Sequence, residues 1–439
     1  MNTLNATHDP SLRSWVPTDP SSPFPIQNLP FGVFRRRGGN DVFRGGVAIG
    51  DRIVDLPAWS ALGAFNGLAA EAAAACAGPV LNPLLALGPS HWSALRGALS
   101  ALLAERAERP RLAEALIPMA EAEVALPVRP ENYSDFFCSL EHAMNAGRVM
   151  RNDASVNANF RWMPVAYHGR PSSLRVSGTP CVRPMGQVQA APGEPPVFVP
   201  TRRLDYECEL AAIVGPGNAL GERIPLSRAE SHLFGLCLMN DWSARDVQRF
   251  EYQPLGPFLG KSFLTSLSPW IVTLEALAPF RVPARPRQGT EEPPPLPHLS
   301  DPANEAAGGL DIAVSATISS PSMREHGAAP TVVGRGNARW LYWTFAQMLA
   351  HHTSNGCNLL PGDVLGSGTI SGFEPGTRGC LLEASEGGKV PLPLPGNETR
   401  TFLEDGDEMV LSAWCRGEGA ASIGFGECSG TVMPSAEAD

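Results

Sequence analysis

The sequence is poor in the features that mark most zinc, redox and membrane proteins. It carries nine cysteines in 439 residues, yet no two stand in a CxxC pair, so neither a zinc ribbon nor a thioredoxin-like redox motif is present. No HExxH motif occurs, which removes the zinc-protease reading. Charged residues make up only 18% of the chain and hydrophobic residues 43%, too little charge for a disordered polypeptide and enough apolar side chain for sizeable cores. Acidic residues outnumber basic ones 44 to 34, for a formal net charge of −10. With no positive field to offset phosphate repulsion, neither a nucleic acid nor an anionic membrane is expected as a partner. The run Arg35-Arg36-Arg37 is too short to change that and reads as a solvated loop. An apolar run of transmembrane length is also missing: the longest Ala/Leu-rich stretch, Ala69 to Leu87, is broken by Glu71, Pro79 and Pro83. Asp9, Pro10 and Pro17 stand where a signal peptide needs apolar residues. Cys76, Cys138, Cys181, Cys208 and Cys237 lie in apolar contexts that suit buried, reduced thiols. The expectation is a soluble, cytoplasmic protein.

What the chain has in quantity is glycine and proline, 44 and 43 residues. After Asn132 they separate short strand-like runs, the pattern of a β-rich domain with many turns. The stretch before it reads differently. Val47 to Leu56 places Gly50-Asp51 between apolar runs, which predicts a two-strand hairpin. Ala69 to Leu81 and Trp92 to Ala120 carry apolar residues at helical spacing, as in Trp92, Leu95, Leu99, Leu102 and Leu103. Pro127 and Pro130 break that pattern, so the expected division is 1–127 and 128–439. Within the second part, helices are expected over roughly Asp241 to Arg249 and Trp340 to His352, and Arg281 to Gly309 reads as an exposed proline-rich insertion.

Three clusters carry the chemistry. In Leu204-Asp205-Tyr206-Glu207-Cys208-Glu209-Leu210, a strand would set Glu207 and Glu209 on one face and Tyr206, Cys208 and Leu210 on the other. Two such carboxylates repel unless a cation or solvent relieves them; taken alone, the pair fits a solvated strand face equally well. In Met239-Asn240-Asp241-Trp242-Ser243-Ala244-Arg245-Asp246-Val247-Gln248, Asp241 either caps a helix or binds a metal, and Arg245 and Gln248 share one helix face. Lys261 follows in a glycine-flanked turn, where a lone lysine is ordinarily a surface residue. In Tyr133 to His142, a helix would align Asp135 with His142 two turns along. A single histidine is more often structural than catalytic, and His168, His351 and His352 compete with it. The acids Asp135, Glu207, Glu209 and Asp241 offer oxygen only, which suits Mg²⁺ or Ca²⁺ better than zinc.

With Phe24 to Phe34, Tyr167-His168-Gly169-Arg170, Val176 to Pro180, Pro254 to Phe263, Asn355 to Leu359, Gly366 to Gly372 and Phe402 to Glu408, these clusters resemble the fumarylacetoacetase (fumarylacetoacetate hydrolase) family in order and spacing over nearly the whole chain. The resemblance implies a β-rich fold: a small N-terminal SH3-like barrel domain, to which the predicted helices would be added, followed by a C-terminal mixed β-sandwich roll. It also implies a homodimer, and hydrolysis of a carbon–carbon bond in a β-diketo acid, 4-fumarylacetoacetate, to fumarate and acetoacetate at the end of tyrosine and phenylalanine breakdown. By position it implies metal ligands at Asp135, Glu207, Glu209 and Asp241, with Lys261 and Thr265 beside the cation. It further implies His142 as general base oriented by Glu383, and Arg245, Gln248 and Lys261 as oxyanion donors. Substrate contacts fall on Phe137, Arg151, Tyr167, Gln248, Tyr252 and Thr369. Phe137 is a departure, since the family pattern has a tyrosine there; an unreplaced hydrogen bond to a charged group is worth roughly 1.5–3 kcal/mol of binding.

Two rival readings remain. An acylpyruvate hydrolase or keto-acid decarboxylase would share the acidic site but lack the long N-terminal part, so Phe24 to Phe34 speaks against it. A non-catalytic relative would have lost the base or a ligand, whereas His142, Glu383, Lys261 and all four acids are present.

Overall fold

The computed structural model describes residues 4–105, 109–191, 193–287, 289 and 292–436. Three sheets dominate it. The first has five strands, in the order Leu116–Pro118, Arg52–Asp55, Arg44–Ile49, Phe31–Arg36 and Ala122–Ala125. The expected hairpin is its centre: Ile49 pairs with Arg52 across Gly50-Asp51, and Gly50 takes φ +57°, a left-handed conformation that glycine adopts without steric cost.

The second sheet positions the site. Its eight strands run Ala166–His168, Tyr133–Phe136, Val364–Gly366, Cys208–Val214, Leu233–Asp241, Thr265–Leu267 and Leu174–Val176, with Val272–Thr273 pairing off Leu233–Asp241. Cys208–Val214 is buried on both faces, and the two-residue period sorts its side chains between two cores. Cys208, Leu210, Ala212 and Val214 enter one core, with Leu236 and Leu238 of the neighbouring strand. Ala211 and Ile213 face the opposite way, with Cys237 and Met239, into a core shared with Phe31, Val33, Trp59 and Trp92. Phe234 seals this junction edge-on, 5.4 Å from Phe31 and 5.0 Å from Trp92. The third sheet, of five strands, contains Thr331–Asn337, Ala313–Ser319, Glu408–Cys415, Ile423–Met433 and Cys181–Val182. All nine cysteines are free thiols, and no helix among the described residues is long and apolar enough to cross a membrane.

Several expected helices are shorter than the periodicity suggests. The one expected over Trp92 to Ala120 is Pro89–Leu103; Arg106 to Glu108 lie outside the described residues, and Pro110 starts a separate turn, Pro110–Glu114, ahead of the strand Leu116–Pro118. That expected over Ala69 to Leu81 is Gly67–Ala74, followed by Asn82–Leu87 with its own proline at the start. Helix Arg245–Glu251 begins four residues later than expected, because Ser243–Ala244 is held as a strand against Leu204–Asp205. Asp241 therefore ends a strand and caps no helix. Likewise Phe345–His352 starts at the Thr344/Gln347 capping box rather than at Trp340. The proline-rich insertion is not simply an exposed loop. Its arginines dock: Arg285 pairs with the buried Glu141 at 2.9 Å, and the Arg287 guanidinium lies 3.5 Å from the Tyr342 ring centroid. Gln288, Thr290 and Glu291 of this insertion lie outside the described residues.

Arg96 shows how the N-terminal segment is fixed. Buried on Pro89–Leu103, it donates to the Asn28 carbonyl at 2.6 Å, the Gln27 carbonyl at 2.5 Å and Thr7 Oγ1 at 3.1 Å. Burial lowers its pKa to about 10 despite the nearby Glu275 carboxylate. Replacing it with methionine leaves two buried carbonyls without donors, and we expect a destabilisation of roughly 2–4 kcal/mol in urea unfolding. An unchanged midpoint would mean that water or neighbouring groups satisfy those carbonyls.

Candidate active site

Strand register assembles the acidic cluster. Asp135 lies opposite Gly366 in a parallel pair and opposite Tyr167 in an antiparallel one. Glu209 pairs with Met239, two residues before Asp241, and Asp241 pairs with Thr265. Asp135, Glu209 and Asp241 thus share the sheet face of Tyr133, Ala211 and Met239, and one oxygen from each lies within 4.8 Å of the others. All three are buried, and among the described residues Asp135 Oδ1 and Glu209 Oε1 have no hydrogen-bond partner. Burial, then the charge of Asp241, pushes the Asp135 carboxyl well above its usual range, although Lys261 opposes the shift. Burial and the Asp135 charge do the same to Glu209. Orphaned oxygens on crowded, desolvated carboxylates fit a hard cation, whose charge would hold these groups ionised.

Around this trio the donors are arranged tightly. Lys261 Nζ bonds Asp241 Oδ2 at 2.6 Å and Glu207 Oε2 at 2.5 Å. Thr265 Oγ1 donates to Asp241 Oδ1 at 2.9 Å, Tyr167 Oη to Asp241 Oδ2 at 3.0 Å, and the Gly368 amide to Glu209 Oε2 at 2.9 Å. Burial lowers the Lys261 pKa, but Asp241 and Glu207 outweigh it, so the amine stays an ammonium. The expected strand face holds in part: Tyr206, Cys208 and Leu210 do face the core opposite the acids, but Glu207 precedes the strand. Both Glu207 oxygens are engaged, Oε2 by Lys261 and Oε1 by Arg245 Nη1 at 2.7 Å. Burial works against the ionised form, yet these two cations hold the Glu207 carboxyl far below its usual range.

His142 reaches the same place from another element. Asp135 and His142 do not lie on one helix: Tyr133–Phe136 is a strand, and Leu140–Arg151 is a helix capped by Ser139, which accepts from the His142 amide at 3.3 Å. His142 Nδ1 stands 2.6 Å from Glu383 Oε1, and its Nε2 lies 3.9 Å from Glu207 Oε1. Glu383 also accepts from Ser371 Oγ at 2.7 Å and Asn145 Nδ2 at 2.8 Å. Burial favours its neutral form, but His142, Ser371 and Asn145 together bring its pKa down to about 2. Cys380 completes a second close group with these two residues; burial and the Glu383 charge keep its thiol protonated, with Sγ 3.3 Å from Glu383 Oε1. This group is held by hydrogen bonds rather than poised as a thiolate site.

The remaining sequence candidates are placed unequally. Gln248 Oε1 accepts from Arg245 Nη1 at 3.2 Å, and Tyr252 follows one turn later, its amide bonded to the Gln248 carbonyl. Phe137 sets its ring edge-on to His142 at 5.2 Å and to Phe160 at 6.1 Å, so it acts as an apolar wall for the imidazole. Thr369 is buried, its Oγ1 without a partner among the described residues. Arg151 is exposed at the far end of the His142 helix, about 13 Å along the axis by the α-helical rise, and donates to the Ser155 carbonyl. Three supports escaped the sequence reading. Asp205 accepts from Arg245 Nε and from the amides of Leu381 and Leu382, tying Arg245 to the turn that carries Glu383. Asn145 sits three residues after His142, a spacing that puts both on one helix face, and Ser371 ends the Gly366 to Gly372 stretch.

Buried carboxylates grouped as they would be around a metal ion, with a His–Glu pair at their margin, suit metal-assisted hydrolysis. The comparisons supply the family. A model described as "Fumarylacetoacetate (FAA) hydrolase C-terminal" matches residues 132–433, and one described as "Fumarylacetoacetase N-terminal" matches residues 27–127. The fumarylacetoacetase of Oryza sativa subsp. japonica is 48% identical, over 96% of this chain and 97% of its own length. That of Homo sapiens is 45% identical, over 96% and 99%. Among solved structures, the fumarylacetoacetate hydrolase of Exiguobacterium antarcticum shares the fold with a TM-score of 0.50 at 18% identity, covering 92% of this chain and 99% of that one. The chain belongs to the fumarylacetoacetase family.

Gly366 gives a test of the cluster. A Cβ there would overlap Asp135 Oδ1 and the Met239 methyl. We expect Gly366→Ala to weaken divalent-cation binding by roughly tenfold or more, read by calorimetric titration of the folded protein; equal affinity would detach Asp135 from the cation.

Proposed function

We propose that this protein hydrolyses 4-fumarylacetoacetate to fumarate and acetoacetate, the last step of tyrosine and phenylalanine catabolism. The observation that carries the reading is the meeting of the orphaned acidic trio with the His142–Glu383 pair through Glu207; similarity to fumarylacetoacetases over nearly the whole chain supports the substrate. In our reading residues 1–127 form an SH3-like domain and residues 128–439 a catalytic β-sandwich roll. We also infer a cytoplasmic homodimer.

Asp135, Glu209 and Asp241, with Glu207, would hold Mg²⁺ or Ca²⁺, and Lys261 and Thr265 would steady Asp241. When bound, the cation supplies Lewis-acid stabilisation of the charge that builds on the diketo oxygens as the carbanion departs as an enolate. His142 takes a proton from the attacking water at Nε2. Its Nδ1–H is held by Glu383, which fixes the tautomer and stabilises the imidazolium. Arg245, Gln248 and Lys261 donate to the tetrahedral alkoxide, each loss costing on the order of a hundredfold or more in rate. Tyr167, Tyr252, Thr369 and Arg151 bind the substrate. Burial, with Asp241 next, raises the Tyr167 pKa and keeps that hydroxyl a donor. Arg151 carries out this role only by leaving the Ser155 carbonyl. Phe137 contributes shape rather than a hydrogen bond.

An assay on fumarylacetoacetate with and without a chelator tests the reading. Turnover should vanish on chelation and return with Mg²⁺ or Ca²⁺; return with zinc alone, or faster turnover of acylpyruvates or oxaloacetate, would reverse the assignment. His142→Ala should lower kcat by roughly 10²–10⁴-fold in folded protein. Equal kcat in mutant and parent would mean that the His–Glu pair is unused.

A further inference from the structure

Glu383 and Asn145 also line a cavity of about 370 Å³ whose walls include none of Asp135, Glu209 and Asp241. Its other charged residues are mostly basic: Arg148, Arg335, Arg378 and Lys389, with Glu386 as the one further acid. They come from four separate places, the helix Leu140–Arg151, the strand Thr331–Asn337, the loop before Cys380 and the turn after Leu381–Ala384. None of the four has a carboxylate oxygen within 4 Å among the described residues. Arg378 spends one nitrogen on the Gly372 carbonyl at 2.8 Å, which fixes its guanidinium at the wall. Of the two acids, Glu383 is already satisfied by His142, Ser371 and Asn145.

The concentration is unusual for this chain. Its net charge is −10, and it contains only two lysines, Lys261 in the acidic cluster and Lys389 here. Four like charges drawn around one concavity repel one another and create a positive potential that an anion relieves well. Guanidinium forks match the planar oxygens of carboxylates and the tetrahedral oxygens of phosphate, and lysine adds a point charge. A cation would be repelled. A nucleic acid would need a basic stripe across the surface rather than one small concavity.

We propose that this cavity is a binding site for a small polyanion, a dicarboxylate or a phosphate, separate from the reaction centre and sharing only Glu383 and its partner Asn145 with it. Arg148 lies three residues beyond Asn145, itself three beyond His142, so successive turns of one helix run from the imidazole to the anion site.

Succinate and inorganic phosphate are the two probes, each titrated calorimetrically into the full, cation-loaded protein. The reference variants are Arg335→Gln/Lys389→Gln, both exposed positions, and Arg148→Gln, with the thermal midpoint confirming that each folds. At least one probe should bind the parent protein. The double variant should weaken it tenfold or more, Arg148→Gln severalfold, and added salt should weaken it further. His142→Ala should bind as the parent does. Binding of succinate alone identifies a dicarboxylate site, of phosphate alone an inorganic one, and of both a general polyanion site. Unchanged affinity in the double variant, loss of binding in His142→Ala, or no heat from either probe at millimolar concentration would overturn the proposal. Because the readout is heat rather than turnover, it fails or succeeds independently of the hydrolase assignment.

Discussion

Six carboxylates, Asp135, Asp205, Glu207, Glu209, Asp241 and Glu383, are buried within one hydrogen-bonded region, and its fixed cations are Lys261 and Arg245. Desolvated charge of one sign is among the costliest things a fold can contain unless it is paired. The pairing here is selective. Arg245 takes Asp205 and Glu207, Lys261 takes Glu207 and Asp241, and His142 takes Glu383. Asp135 and Glu209 are left with an oxygen each that no group among the described residues serves. The imbalance is therefore local, confined to one sheet face, and the rest of the architecture serves to keep it there.

Keeping it there requires rigid elements at the two cations. Lys261 lies at the end of a loop whose shape is set by Glu251, which accepts the amides of Phe258 at 2.8 Å, Leu259 at 3.0 Å and Gly260 at 2.7 Å. Gly260 must be small, since a Cβ would come within 2.9 Å of the Gln248 backbone. The loop is thereby clamped onto the helix that begins with Arg245, which ties the segments bearing the two cations together. On the other side Asp205 gathers Arg245 and the amides of Leu381 and Leu382, so that displacing Arg245 would also loosen the turn bearing Glu383. Such networks respond to single deletions by more than pairwise bonds suggest.

How much of this was legible in the sequence depends on the element. Strand parity was: the two-residue period over Tyr206 to Leu210 sent the apolar side chains to one core and Glu209 to the other face. The Gly50-Asp51 hairpin was legible for the same local reason. Helix limits were not. Asp241 to Arg249 reads as a continuous helical segment, but Ser243–Ala244 pairs with Leu204–Asp205, a contact some forty residues away that no local window contains. Asp135 and His142 looked alignable on one helix, whereas Ser139 breaks the strand from the helix between them. The supports Asp205, Glu251 and Asn145 act through backbone amides or a second side chain, and residue type alone does not separate them from ordinary surface polar residues.

Glu207 is where the two halves of the chemistry meet. Its carboxylate is shared by Lys261 and Arg245, and its Oε1 lies 3.9 Å from His142 Nε2. A water standing between that imidazole nitrogen and the acidic trio would be approached by a base on one side and by the region of greatest negative charge on the other. In the proposed mechanism a proton moves to His142, and Glu207 and Glu383, which flank the ring, compensate the positive charge formed there. The same negative field would oppose an alkoxide forming nearby. Arg245 and Lys261, each bonded to Glu207, would offset it in the proposed mechanism.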